Sequence, residues 1–69
     1  PLYLTAQGET GKIIANVVGS TTANVLLMSV EGMLIDSKPA AKEMTFTVKP
    51  GIYVLVLDGT DQSVKVIVK

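Results

Sequence analysis

The 69-residue sequence contains no cysteine and no histidine, and only three aromatic residues, Tyr3, Phe46 and Tyr53. Without cysteine there is no disulfide framework, no thiol nucleophile and no thiolate metal ligand. Without histidine the commonest general base near neutral pH is missing, and a Ser-His-Asp arrangement cannot be assembled within the chain. Charge of one sign is also lacking: six basic residues balance six acidic ones. A basic footprint for nucleic acid or an anionic membrane surface is therefore absent. No apolar run approaches the roughly 20 residues of a membrane-spanning helix, and no segment sustains a helical period. Near-neutral charge with positive hydropathy favours association, so a homodimer through apolar strands is one expectation.

What is present is apolar and β-branched. Hydrophobic residues make up 48% of the chain, enough for one small core and too few positions for a second domain. A single domain over 1–69 is expected, with 1–11 either a linker remnant or an edge strand. The start at Pro1 reads as an excised domain with a neighbour upstream. Breaks recur every eight to twelve residues or so, the rhythm of an all-β sandwich or barrel. They fall at Gly8–Gly11, at Gly19-Ser20-Thr21-Thr22, at Glu31-Gly32, at Lys38 to Lys42, at Lys49-Pro50-Gly51 and at Gly59 to Gln62. Seven strands are predicted between them: 2–4, 12–18, 24–30, 33–37, 43–48, 52–58 and 63–69. The fold class is all-β, with two stacked antiparallel layers as the leading form. Met44, Phe46 and Val48 alternate with Thr45 and Thr47, as do Val64, Val66 and Val68 with their neighbours. Val25 to Met28 and Ile52 to Leu57 are apolar on both faces. Since each strand of a two-layer sandwich meets the core on one face, one of the sets Ile52/Val54/Val56 and Tyr53/Leu55/Leu57 must point outward.

Motifs with chemistry are weak. A Ser-Lys pair needs a buried lysine, and every lysine sits at a turn or an outward strand position. The six carboxylates could serve glycosidic chemistry only in a cleft that a chain this short hardly encloses. Asp58 to Gln62 has oxygen-bearing side chains but lacks the alternating acidic ligands and closing Glu of a calcium loop. Gly8-Glu9-Thr10-Gly11-Lys12 lacks phosphate-loop spacing. The expectation is no enzyme, no metal, no cofactor, no nucleic acid and no small-molecule substrate. The hydroxyl of Tyr53 is expected to bond back to the preceding Pro-Gly turn or to reach water. What remains is recognition by shape and by strand edges, whose unpaired backbone groups can add to another sheet.

Three segments together resemble the C-terminal sorting domains of the type IX secretion system of Bacteroidetes, or a related group of C-terminal β-sandwich domains. They are Val25-x-Leu27-Met28-Ser29-Val30-Glu31-Gly32-Met33-Leu34-Ile35, Pro50-Gly51-Ile52-Tyr53-Val54-Leu55-Val56, and Lys65-Val66-Ile67-Val68-Lys69. The resemblance spans about residues 12–69. Ser29 stands where Asp is usual in that family, Met28 where Tyr is, Met33 where a basic residue is, and Val56 where a basic residue is common. The resemblance implies an immunoglobulin-like antiparallel β-sandwich, a non-catalytic module that directs a larger N-terminal cargo through the periplasm and across the outer membrane to the cell surface. Its implied partners are the secretion translocon and a sortase-like peptidase. The implied recognition residues are Gly51, which would shape the turn, Tyr53, which would anchor the hairpin, and the tail Lys65, Val66, Ile67, Val68 and Lys69 as a readable edge. The alternative is an immunoglobulin-like structural or adhesion spacer.

Overall fold

Seven strands follow one another in the computed structural model, which describes residues 2–69. They are β1 (Tyr3–Glu9), β2 (Lys12–Val18), β3 (Asn24–Ser29), β4 (Leu34–Pro39), β5 (Met44–Thr47), β6 (Gly51–Leu57) and β7 (Ser63–Val68). All ladders are antiparallel. One sheet has the order β1-β2-β5 and the other β4-β3-β6-β7. Consecutive strands switch layers after β2, β4 and β5. This three-plus-four partition, with β2 beside β5 and β3 beside β6, is the Greek-key wiring of an immunoglobulin-like sandwich.

The period-two pattern decides what lies between the layers. Ile13, Ala15 and Val17 of β2, with Leu4 of β1 and Met44 and Phe46 of β5, come from one sheet. Val25 and Leu27 of β3, Leu55 and Leu57 of β6, and Val66 and Val68 of β7 come from the other. No polar or charged residue is buried among the described residues. The core is thus wholly apolar, and the burial of these side chains is what holds so short a chain together. In β6, Tyr53, Leu55 and Leu57 face inward, and Ile52, Val54 and Val56 form the outward set.

Three sequence boundaries need correction. The first strand is not the short 2–4 segment: it runs seven residues, with Gly8 inside it, and pairs with the whole of β2 from Tyr3↔Val18 to Glu9↔Lys12. Within the segment 1–11, Tyr3–Glu9 is thus strand, the edge-strand alternative of the two expected there (Pro1 lies outside the described residues). The fourth strand reaches Pro39, so the connection predicted to begin at Lys38 starts two residues later. The β3–β4 hairpin turns through three residues rather than a two-residue Glu31-Gly32 turn. The Ser29 N–H donates to the Met33 carbonyl at 2.9 Å, and the Gly32 N–H to the Ser29 carbonyl at 3.0 Å.

The two layers also meet at their sides. Leu4 N–H donates to Gln62 Oε1 at 3.3 Å, and Gly11 N–H donates to the Lys69 carbonyl at 3.0 Å. Residue numbers rise together along both segments, so β1 lies parallel beside β7. Gly8 sits midway along this seam, and a Cβ there would fall against the Ile67 carbonyl. On the opposite side, Lys38 Nζ of β4 donates to the Thr45 carbonyl of β5 at 2.6 Å and lies 5.0 Å from the centre of the Phe46 ring.

Candidate functional site

The seven residues implicated by the sequence divide into two groups. Val66 and Val68 are 4% and 3% exposed and belong to the core. Tyr53 is half-buried against that core, and its hydroxyl donates to the Lys49 carbonyl at 2.6 Å. The hydroxyl thus closes the Lys49-Pro50-Gly51 corner where the chain passes from one sheet to the other, a placement like the tyrosine corner of immunoglobulin-type domains. Gly51 begins β6 and pairs with Val68, and Tyr53 pairs with Val66. Turn and tail therefore meet in one ladder. Lys65, Ile67 and Lys69 point outward and are exposed.

The tail is an edge strand by its ladder, since β6 is its sole partner there. It is not an open edge. β1 runs along its other side, with the Lys69 carbonyl already accepting from Gly11 and the Ile67 carbonyl covered by Gly8. Strand addition at β7 would first have to displace β1. What the tail presents to solvent is the row of outward side chains Lys65, Ile67 and Lys69.

The far edge of the same sheet, β4, offers little to a pairing strand either. Asp36 Oδ1 accepts from the Ser37 N–H at 2.8 Å, Pro39 has no N–H, and a bulge interrupts the register where Leu27 and Met28 face Asp36 and Leu34. Such devices block edge-to-edge association.

The outer face of the four-stranded sheet carries apolar residues along its two central strands, bounded by Ser37 beside Leu26 and by Ser63 beside Val56. Leu26 lies beside Val56, and Met28 beside both Val54 and Leu34. Ile52 lies beside Ile67, and Val54 beside Lys65. Leu34, Ile52 and Ile67 are 60%, 45% and 63% exposed. Val30 and Met33 on the adjoining hairpin are also exposed.

Elsewhere, an open depression lies between Asn16–Thr21 and Ala40–Lys42. Its walls are held by backbone bonds, Val17 N–H to the Ala41 carbonyl and Asn16 Nδ2 to the Lys42 carbonyl, and Lys42 is the one ionisable side chain lining it. The Asp58–Gln62 turn is filled by its own hydrogen bonds: Thr60 Oγ1 donates to the Leu57 carbonyl and accepts from the Gln62 N–H. This is the ordinary wiring of a hairpin turn.

The β1–β7 seam escaped the sequence reading. Its one signal was Gly8, an isolated glycine within an alternating stretch, which marks a close backbone approach as readily as a break. Comparison of the chain with family models, with curated proteins and with solved structures yields no match.

Proposed function

We propose that this sandwich is a non-catalytic C-terminal sorting module that carries a larger cargo across the outer membrane to the cell surface. One observation carries the reading. The three segments that resemble type IX sorting domains, 25–35, 50–56 and 65–69, converge in or beside the same four-stranded sheet. Segments scattered along the sequence thereby become one surface, with the turn at Gly51, the Tyr53 anchor and the tail in register. Because β1 occupies the tail's outer edge, recognition by the translocon and a sortase-like peptidase runs through the outward side chains Lys65, Ile67 and Lys69. Val66, Val68, Gly51 and Tyr53 hold that row in place.

The spacer reading has one observation in its favour, the closure of both sheet edges, which suits a domain that only separates others. The two readings part in a delivery assay. Removing residues 65–69 is a poor probe, since it takes Val66 and Val68 out of the core. The double variant Lys65→Glu/Lys69→Glu leaves the core alone, because both side chains are exposed. Fused behind a reporter in a bacterium with this secretion system, the double variant is expected to leave the reporter in the periplasm while the parent sequence delivers it to the surface. Equal surface delivery by both would reject the sorting reading in favour of the spacer.

A further inference from the structure

We infer that β4 is a latched arm: it swings away from β3 as a unit while the other six strands stay folded, and Lys38 is its latch. The property holds with or without the sorting reading. The first ground is the distribution of the core. Of the seven strands, β4 alone supplies no buried side chain. Leu34, Ile35, Asp36, Ser37 and Pro39 are exposed, and Lys38 is half-buried. Apolar burial, the main favourable term of folding, is therefore carried almost wholly by the other six. Segments with few buried contacts open at a lower free energy than the whole domain.

The second ground is what holds the arm. Its ladder runs from Asn24↔Pro39 to Met28↔Leu34 and is broken by the bulge between Leu27 and Met28. Toward the other sheet, Lys38 makes the tie. Its Nζ donates to the Thr45 carbonyl at 2.6 Å and lies 5.0 Å from the centre of the Phe46 ring. One ammonium thus combines a charge-assisted hydrogen bond with a cation–π contact. Lys38 stands beside core Val25 in the ladder, on the inward side of the sheet. Its stem covers the core margin while its head caps the edge of β5.

Release of the arm frees two backbone edges at once, β3 at Val25 and Leu27 and β5 at Thr45. The arm therefore governs the access of an extended strand to this side of the sandwich. Bond direction makes the opening readable. The Ala40 N–H donates to the Ala23 carbonyl, and the Asp58 N–H donates to the Asn24 carbonyl. Antiparallel bonds alternate sides along a strand. The Val25 and Leu27 amides accordingly point to β4, and the Leu26 and Met28 amides point to β6.

Residue-resolved amide hydrogen exchange of the 69-residue chain tests this. The Val25, Leu27, Asp36 and Lys38 amides should share one protection level, at least about tenfold below that of Leu26 and Met28. This order runs against burial, because Val25 and Leu27 are the core residues of β3 and Leu26 and Met28 are not. Lys38→Met keeps the stem and removes the ammonium. It should speed exchange of the four amides about three- to tenfold while Leu26 and Met28 hold their rates. Lys38→Arg keeps the cation and should preserve the parent pattern. Four amides protected as strongly as Leu26 and Met28 overturn the arm. A Lys38→Met effect spread equally over all these amides does the same, since the domain then opens only as a whole. Four amides indifferent to Lys38→Met overturn the latch.

Discussion

Replacing Gly8 by alanine is the sharpest test of how this domain is closed. In an ordinary strand position the change stabilises by ~0.4–1 kcal/mol, because it restricts the unfolded chain. Here the sign should reverse. An ideal Cβ at Gly8 would lie 2.8 Å from both the Ile67 carbonyl carbon and Val66 Cγ1, and closer still to the Ile67 oxygen. Two of these atoms are backbone and cannot rotate away, so β1 must retreat from β7 by on the order of 1 Å in a core packed like a crystal. That movement costs ~1–3 kcal/mol as overpacking. It also strains the 3.0 Å bond from Gly11 N–H to the Lys69 carbonyl, worth ~1 kcal/mol net. The sum is ~2–4 kcal/mol, against a total stability of ~3–10 kcal/mol for a chain of this length. At ~4–8 °C per kcal/mol, the melting temperature should fall by roughly 8–32 °C. Gly11→Ala is the control. Its backbone sits at φ +73° with nothing within 4 Å of the added carbon, so it suffers conformational strain of ~1–2 kcal/mol without a clash. Thermal denaturation followed by circular dichroism decides the matter. A Gly8→Ala protein that melts at or above the parent temperature would refute the close β1–β7 seam, and with it the claim that the tail's edge is occupied.

Other outcomes follow from single contacts. Tyr53→Phe removes the 2.6 Å bond to the Lys49 carbonyl and keeps the ring against the core, so the urea midpoint should drop by the equivalent of ~0.5–1.5 kcal/mol with an unchanged m value. Phe46→Ala empties the largest fully buried side chain and should cost ~3–5 kcal/mol, enough to leave much of the population unfolded by dispersion of its amide proton spectrum. Together with the charge-reversed tail, these measurements address closure, corner, core and surface separately.

The hairpin of β6 and β7 was legible in the sequence because both its signals are local. Pro50-Gly51 presets one corner, and Val64, Val66 and Val68 alternate with polar or exposed neighbours. The inward set Met44, Phe46 and Val48 was legible for the same reason. The orientation of β6 was not, because Ile52/Val54/Val56 and Tyr53/Leu55/Leu57 are equally apolar. Only the pairing of Leu55 with Leu27 and of Leu57 with Val25, both core residues of β3, settles which set goes in. The candidate tail was legible as a strand and misjudged as an open edge, since its neighbour lies about sixty residues earlier in the chain.

Composition and period-two patterning by themselves determined an all-β domain of seven strands, an apolar core and the absence of histidine- or cysteine-based chemistry. These properties depend on neighbours within a few residues, where side-chain alternation and turn chemistry act directly. The tertiary structure alone decided that β1 is a full strand lying along β7, that both edges of the larger sheet are closed, and which of the two apolar sets of β6 is left on the outside. Those outcomes depend on contacts such as Gly8 with Ile67 and Gly11 with Lys69, whose partners are brought together only when two sheets stack.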